Sequence, residues 1–158
     1  MEGTIRTNKG DIVIEFSDKL TPNTVANFVK LARSGFYDGV KFHRIIGGFM
    51  IQGGDPLTKD EAQKHMWGTG GPGYKFDDEI GPANSNGKGT ISMANAGRNT
   101  NGSQFFINLA NNSFLNPKHT AFGTVVKGME VVEAIGAVPT DHSDRPLEPV
   151  VIESVVFE

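Results

Sequence analysis

The chain has 158 residues, about one folded domain, of which 37% are hydrophobic and 21% charged. A net charge of -3 with no polybasic run leaves no electrostatic footprint for nucleic acid, and the absence of cysteine excludes disulfides, thiol catalysis and thiolate-bound metals. No apolar stretch approaches the roughly 20 residues of a membrane-spanning helix, and no leader pattern precedes the first strand, so a cytoplasmic, membrane-free protein is expected.

Twenty glycines and eight prolines are scattered between apolar runs, the mark of a β-rich fold with many short connections. No linker, repeat or composition break divides residues 1–158, and one domain is expected. Gly3–Thr7 and Asp11–Phe16 flank Asn8-Lys9-Gly10, a short hairpin with a glycine available for positive φ. Thr21 is placed as N-cap of a helix with Pro22 at its first position. Val25, Phe28, Val29 and Ala32 then recur at helical spacing until Ser34-Gly35.

Short strands are predicted over Val40–Ile46, Phe49–Gln52, Gly89–Ala94, Gln104–Ile107 and Ala121–Val126. The segment Lys59–Lys64 fits one helical turn, and Asp77-Asp78-Glu79 reads as a solvated turn. A second helix is predicted over Gly128–Ile135, with Met129, Val132 and Ile135 inward. The last strand, Glu148–Phe157, is expected to pair with the first hairpin. This pattern alone supports a barrel or a sandwich.

Two segments carry the chemical information: Phe42-His43-Arg44-Ile45-Ile46-Gly47-Gly48-Phe49-Met50-Ile51-Gln52-Gly53-Gly54-Asp55, and Met93 through Ile107 around Ala94-Asn95 and Gln104-Phe105-Phe106. Both mix strand residues with neutral amides, glycines and a single arginine. Neither holds a nucleophile–base pair or a metal-ligand cluster. Gly68-Thr69-Gly70-Gly71-Pro72-Gly73 satisfies a dinucleotide pattern, but no strand–helix–strand unit surrounds it. The four histidines show no i, i+4 pair, so no metal is expected. A site of this kind grips a neutral peptide through hydrogen bonds and an apolar pocket. Phe105 and Phe106 must face opposite sides of their strand, which allows one in the core and the other at the site.

Together with Phe114-Leu115 and Lys118-His119, these segments closely resemble the cyclophilin family of peptidyl-prolyl cis–trans isomerases, and the resemblance runs from Thr4 to Val156. It implies a closed eight-stranded antiparallel β-barrel capped by two α-helices. It also implies a cofactor-free isomerase acting on X-Pro bonds of peptides and proteins. By the same resemblance Arg44 takes the catalytic position, with Gln52, Asn95 and His119 beside it. Phe49, Met50, Phe106 and Leu115 surround the proline ring, and Ala94 with Gln104 forms a wall of the groove. Gln52 and Asn95 hold the substrate backbone, and Gly102-Ser103 shapes the turn that directs Gln104. His43 is expected to be structural.

Phe114 stands where many eukaryotic members carry tryptophan, which implies weakened cyclosporin binding, and Gly47 and Arg98 replace family prolines. The stretch Leu57–Trp67 is longer than in the commonest members and reads as a surface elaboration. A monomer is expected, since no long apolar seam is evident. Two other readings are carried forward: a proline-peptide docking module without turnover, and a hydrolase using Ser103 and His119. The hydrolase lacks both an elbow motif and a third member.

Overall fold

The computed structural model describes residues Met1–Glu158. The chain forms eight strands, β1 (Glu2–Thr7), β2 (Gly10–Phe16), β3 (Arg44–Ile46), β4 (Met50–Gly53), β5 (Thr90–Met93), β6 (Phe105–Asn108), β7 (Ala121–Lys127) and β8 (Ile152–Phe157). Two helices join them, α1 (Pro22–Arg33) and α2 (Met129–Gly136). All strand pairs are antiparallel, in the order β3-β4-β6-β5-β7-β2-β1-β8. The first hairpin forms as expected, with Gly10 at φ 132 and β8 paired to β1.

The sheet curls without closing. No ladder joins β8 to β3, and the predicted strand Val40–Ile46 survives only as its last three residues plus an isolated Lys41–Val151 bridge. The seam is stitched by Gly39 N–H to Ile152 O (2.7 Å), Ile152 N–H to Val40 O (2.8 Å) and Phe42 N–H to Val150 O (3.0 Å). Beyond it, the Ile45 N–H is taken by the Asp144 carbonyl at 2.8 Å, so the segment before β8 occupies the edge that a closed barrel would use.

Inside the curl, Ile45, Ile51, Ile107 and Ile91 stand opposite one another across four strands, each at most 2% exposed. Helix α1 covers one end by inserting Phe28 among Phe16, Tyr37, Phe105 and Phe122, at centroid distances of 5.0–5.7 Å. Val25, Val29 and Ala32 join it in the core, the face the helical spacing predicts. Val132 and Ile135 of α2 are fully buried, with Met129 packed at their margin.

Two local expectations change. Pro22 does open α1, but Thr21 makes no side-chain cap; its hydroxyl donates to Ser17 O at 2.9 Å. The cap comes from Glu79, whose carboxylate accepts from Thr24 N (2.7 Å), Thr24 Oγ1 (2.8 Å) and Asn23 N (3.3 Å). Asp77-Asp78-Glu79 is therefore no solvated turn: an anion sits on the free N–H groups at the positive end of the helix. The Leu57–Trp67 stretch holds two 3-10 helices, Pro56–Lys59 and Glu61–Met66, where one turn was expected. Extended Asp60 divides them, and its carboxylate caps the second through Ala62 N (2.9 Å).

Replacing Glu79 with alanine is expected to cost about 0.5–2 kcal/mol, the range for loss of an N-terminal cap. Urea denaturation measures the loss, and faster amide hydrogen exchange at Asn23 and Thr24 localises it.

Candidate active site

The site grows from three neighbouring strands. Arg44 of β3 lies opposite Gln52 of β4, and Gln52 lies opposite Phe106 of β6. Alternation turns these three to the outer face, while Ile45, Ile51 and Phe105 turn to the core. Arg44, Gln52 and Phe106 border a pocket of about 280 Å³ with Phe49, Met50, Ala94, Asn95, Leu115 and His119. Met50 and Phe106 form a buried floor (2% and 4% exposed), and Phe49, Leu115 and His119 are half-buried walls.

Arg44 is exposed and has no carboxylate partner. Its Nη1 donates to Gln52 Oε1 at 3.3 Å. Gln52 Nε2 donates in turn to Gln104 Oε1 at 3.0 Å, and Gln104 Nε2 donates to the carbonyls of Gly68 (3.0 Å) and Gly70 (2.9 Å). The pocket thus contains a cation oriented by a neutral oxygen. No carboxylate stands in its wall.

His119 packs edge-on against Phe106 at 5.3 Å, and its Nδ1 lies 2.9 Å from Met93 O. A carbonyl can only accept, so the shorter contact calls for a proton on Nδ1, which also lies 3.3 Å from Asn95 Nδ2. Asn95 departs from expectation. Its side chain is engaged within the protein, donating to Lys118 O (2.8 Å) and accepting from Gly97 N (3.2 Å). Its main-chain N–H and C=O have no partner in the protein, so the backbone is what this residue offers a ligand.

Gln104 and Phe114 do not line the pocket. Gln104 separates it from a larger groove of about 640 Å³ that shares Gln52, Ala94 and Asn95 and continues over Gly68–Lys75. Phe114 is 65% exposed on the rim, stacked on Phe49 with centroids 6.0 Å apart. The turn before Gln104 is held as the sequence suggests. Ser103 Oγ donates to Gly54 O (2.8 Å), and Tyr37 Oη donates to Ser103 O (2.9 Å). Gly54 sits at φ +97 with its Cα against the Ser103 carbonyl, where a Cβ would collide. Ser103 is 1% exposed and its hydroxyl is committed, which removes the nucleophile of a hydrolase. Residues Leu57–Trp67 line neither cavity.

Three features escaped the sequence: Asp55, whose buried carboxylate accepts three loop N–H groups; the Asn95 main chain; and a cluster of amides under the 111–119 segment. In that cluster Asn112 Nδ2 donates to Phe49 O (3.0 Å) and Asn108 Oδ1 (2.9 Å), while Asn108 Nδ2 donates to Asn86 Oδ1 (3.2 Å). The many asparagines between Asn84 and Asn116 were the available signal.

On a curled antiparallel sheet, the site combines one arginine without a carboxylate partner and an apolar-floored pocket. The family model for cyclophilin type peptidyl-prolyl cis-trans isomerases matches residues 3–157. The isomerase ppi1 of Schizosaccharomyces pombe is 49% identical over 153 residues, 96% of each chain. A crystal structure of a Cryptosporidium parvum cyclophilin-type isomerase, in the presence of the dipeptide Ala-Pro, superposes with a TM-score of 0.92 at 36% identity over 100% of this chain and 99% of that one. The isomerase-like 2 protein of Gibberella zeae is 46% identical, but this chain spans only 26% of its length. The chain belongs to the cyclophilin-type peptidyl-prolyl cis-trans isomerases.

Next to Arg44, His43 is 5% exposed and its Nδ1 has no partner. Burial pushes its pKa from 6.5 down to about 4; the charge of Asp55 opposes the shift and that of Arg44 adds to it. The unfolded chain therefore takes up a proton that the native state refuses. His43's stabilisation is complete above pH 6.5 and disappears as pH falls to about 4. The loss is on the order of 3 kcal/mol. Urea denaturation at a series of pH values is expected to show it, with a flatter slope over that range in His43→Gln.

Proposed function

We propose that the protein, as one isomerase domain, accelerates rotation about X-Pro bonds by binding the twisted imide more tightly than the planar one. Resonance sets an uncatalysed barrier of about 18–20 kcal/mol. A turnover of roughly 10–10³ s⁻¹ requires lowering it by about 3–7 kcal/mol. No proton must leave and no covalent bond must form.

In the twisted state the imide nitrogen regains a lone pair and accepts a hydrogen bond. Arg44 donates to it there and finds no such acceptor in the planar ground state, which is differential binding of the kind that raises turnover. The proline ring enters between Phe49, Met50, Phe106 and Leu115, with His119 at the rim. The Asn95 main chain and Gln52 hold the substrate backbone, and residues before the proline run past Ala94 and Gln104. The observation that carries this reading is the conjunction of an unpaired guanidinium with a 280 Å³ apolar-floored pocket free of carboxylates. Clients are proline-containing peptides and proteins, met by a monomer in the cytoplasm without a cofactor.

NMR exchange spectroscopy on an Ala-Pro peptide tests the proposal. Catalysed exchange is expected to fall at least about tenfold in Arg44→Ala, with peptide affinity retained. Binding without accelerated exchange in the wild type would leave only a docking module.

Cyclosporin binding is expected to be weak because Phe114 supplies a ring without the indole donor. Phe114→Trp is expected to tighten it about tenfold, the worth of one added hydrogen bond of ~1.4 kcal/mol. Titration calorimetry decides it, and equal affinities would show that the rim donor contributes nothing.

A further inference from the structure

Asp55 lines neither cavity, and the reaction as described does not use it. It is 0% exposed and forms no ion pair. Burying a carboxylate is costly unless hydrogen bonds replace its water. Here three main-chain donors do so: Leu57 N at 2.8 Å, Gly68 N at 2.6 Å and Gly70 N at 3.1 Å. The fit is close enough that a Cβ on Gly70 would collide with the carboxylate. The Leu57 contact caps the first 3-10 helix. The other two reach 13 and 15 residues ahead and have no role in that cap.

Gly68 and Gly70, whose N–H groups point at Asp55, also present their carbonyls to Gln104 Nε2 at 3.0 and 2.9 Å. With both its hydrogens taken, that amide can turn only its oxygen toward Gln52. Gln52 must answer with its own nitrogen, at 3.0 Å, which leaves its oxygen for Arg44 Nη1 at 3.3 Å. Each link fixes the polarity of the next. Flipping either amide would set donor against donor or acceptor against acceptor.

We propose that Asp55 is a positioning residue for Arg44. Its carboxylate holds the N–H groups of Gly68 and Gly70, the carbonyls of the same two residues hold the Gln104 amide, and Gln104 through Gln52 aims the guanidinium. The inference rests on the reading of Arg44 as the donor to the imide nitrogen. It extends the machinery to a residue outside both cavities.

Asp55→Asn is nearly isosteric but has one acceptor oxygen where Asp55 has two: either Leu57 N, or both Gly68 N and Gly70 N, must then face an NH2 group, and the charge behind the remaining bonds is gone. Three readouts are expected from the folded variant. Catalysed exchange of the Ala-Pro peptide falls about tenfold while peptide affinity changes less than about twofold. The Arg44 Nε–H signal in ¹⁵N relaxation loses order. In the Arg44→Ala background the same substitution changes exchange by less than about twofold, because nothing is left to aim.

Unchanged Arg44 order in folded Asp55→Asn would overturn the proposal, as would an equal loss of exchange with and without Arg44. If Asp55→Asn does not fold, Gln104→Glu tests the same relay with the carboxylate clamp intact. Its carboxylate cannot donate to the Gly68 and Gly70 carbonyls, and undiminished Arg44 order there would equally overturn it. A different result marks failure of the underlying reading: Arg44→Ala would itself leave exchange unaltered. The order of the Arg44 side chain would still decide whether Asp55 positions it.

Discussion

The register of β3, β4 and β6 is the constraint on which the rest of the molecule depends. In one row Ile45, Ile51, Ile107 and Ile91 meet across four strands and face the core. In the adjacent row Arg44, Gln52, Phe106 and Ser92 meet on the opposite face. Because side chains alternate with a period of two, the rows cannot be chosen independently. A one-residue slip would expose the isoleucines, at roughly 6–12 kcal/mol for four such side chains. That is comparable to the whole stability of a typical domain. The hydrophobic effect acting on the inner row thus aligns the arginine and glutamine of the outer one, to which only the buried Phe106 adds apolar area of its own.

The far wall of the pocket is organised differently. Leu115 ends a short 3-10 helix (Ser113–Leu115) and His119 lies on irregular chain, where no ladder can set their position. Buried amides take over. Asn112 joins the 111–119 segment to the Phe49 carbonyl, and its own N–H reaches Asn86 O at 2.9 Å. Asn86 Nδ2 and Asn84 Nδ2 both donate to His119 O, at 3.2 and 2.9 Å, and Asn84 Nδ2 also holds Asn116 O at 2.7 Å. Asparagine suits this work because one short side chain both donates and accepts, and so satisfies loop peptide groups that would otherwise be buried unpaired. In a low-dielectric interior such bonds reinforce one another, and the wall stands at a set distance from the strands before any ligand arrives.

This division explains what could be read in the sequence. Much that is governed by local period was legible: the first hairpin, the buried face of α1, Phe105 inward against Phe106 outward, and Arg44 on a strand with nothing acidic beside it, although the strand predicted over Val40–Ile46 shrank to Arg44–Ile46. The family resemblance supplied the membership of the pocket, which period alone could not, since Leu115 and His119 are some sixty to seventy residues from Phe49 and Met50. What was missed depends on partners distant in sequence. Glu79 caps a helix from 55 residues away, and in isolation it looks like any acidic turn. Closure of the barrel failed because the Ile45 N–H goes to Asp144, a competition between segments that no strand pattern records. Asn95 misled through chemistry: a side-chain amide suggests a clamp, yet here it braces the turn and leaves the backbone free.

In the proposed mechanism, the amides around Arg44 solve a problem particular to this reaction. A long, flexible cation at a surface needs something to aim it, and the strongest partner would be a carboxylate. A carboxylate would also neutralise it, and the field at the imide nitrogen would shrink as the geometry improved. An amide oxygen directs the guanidinium while leaving the net positive charge on the site. An amide, however, can present either end, so its own orientation must be imposed from elsewhere. Gln52 is oriented by Gln104, and Gln104 by two glycine carbonyls on a loop anchored by Asp55. The one negative charge in this relay of hydrogen bonds is thereby kept off the guanidinium. It lies buried under the loop and is answered by N–H groups, so the anion contributes order to the site without drawing the cation away from the bond that must turn.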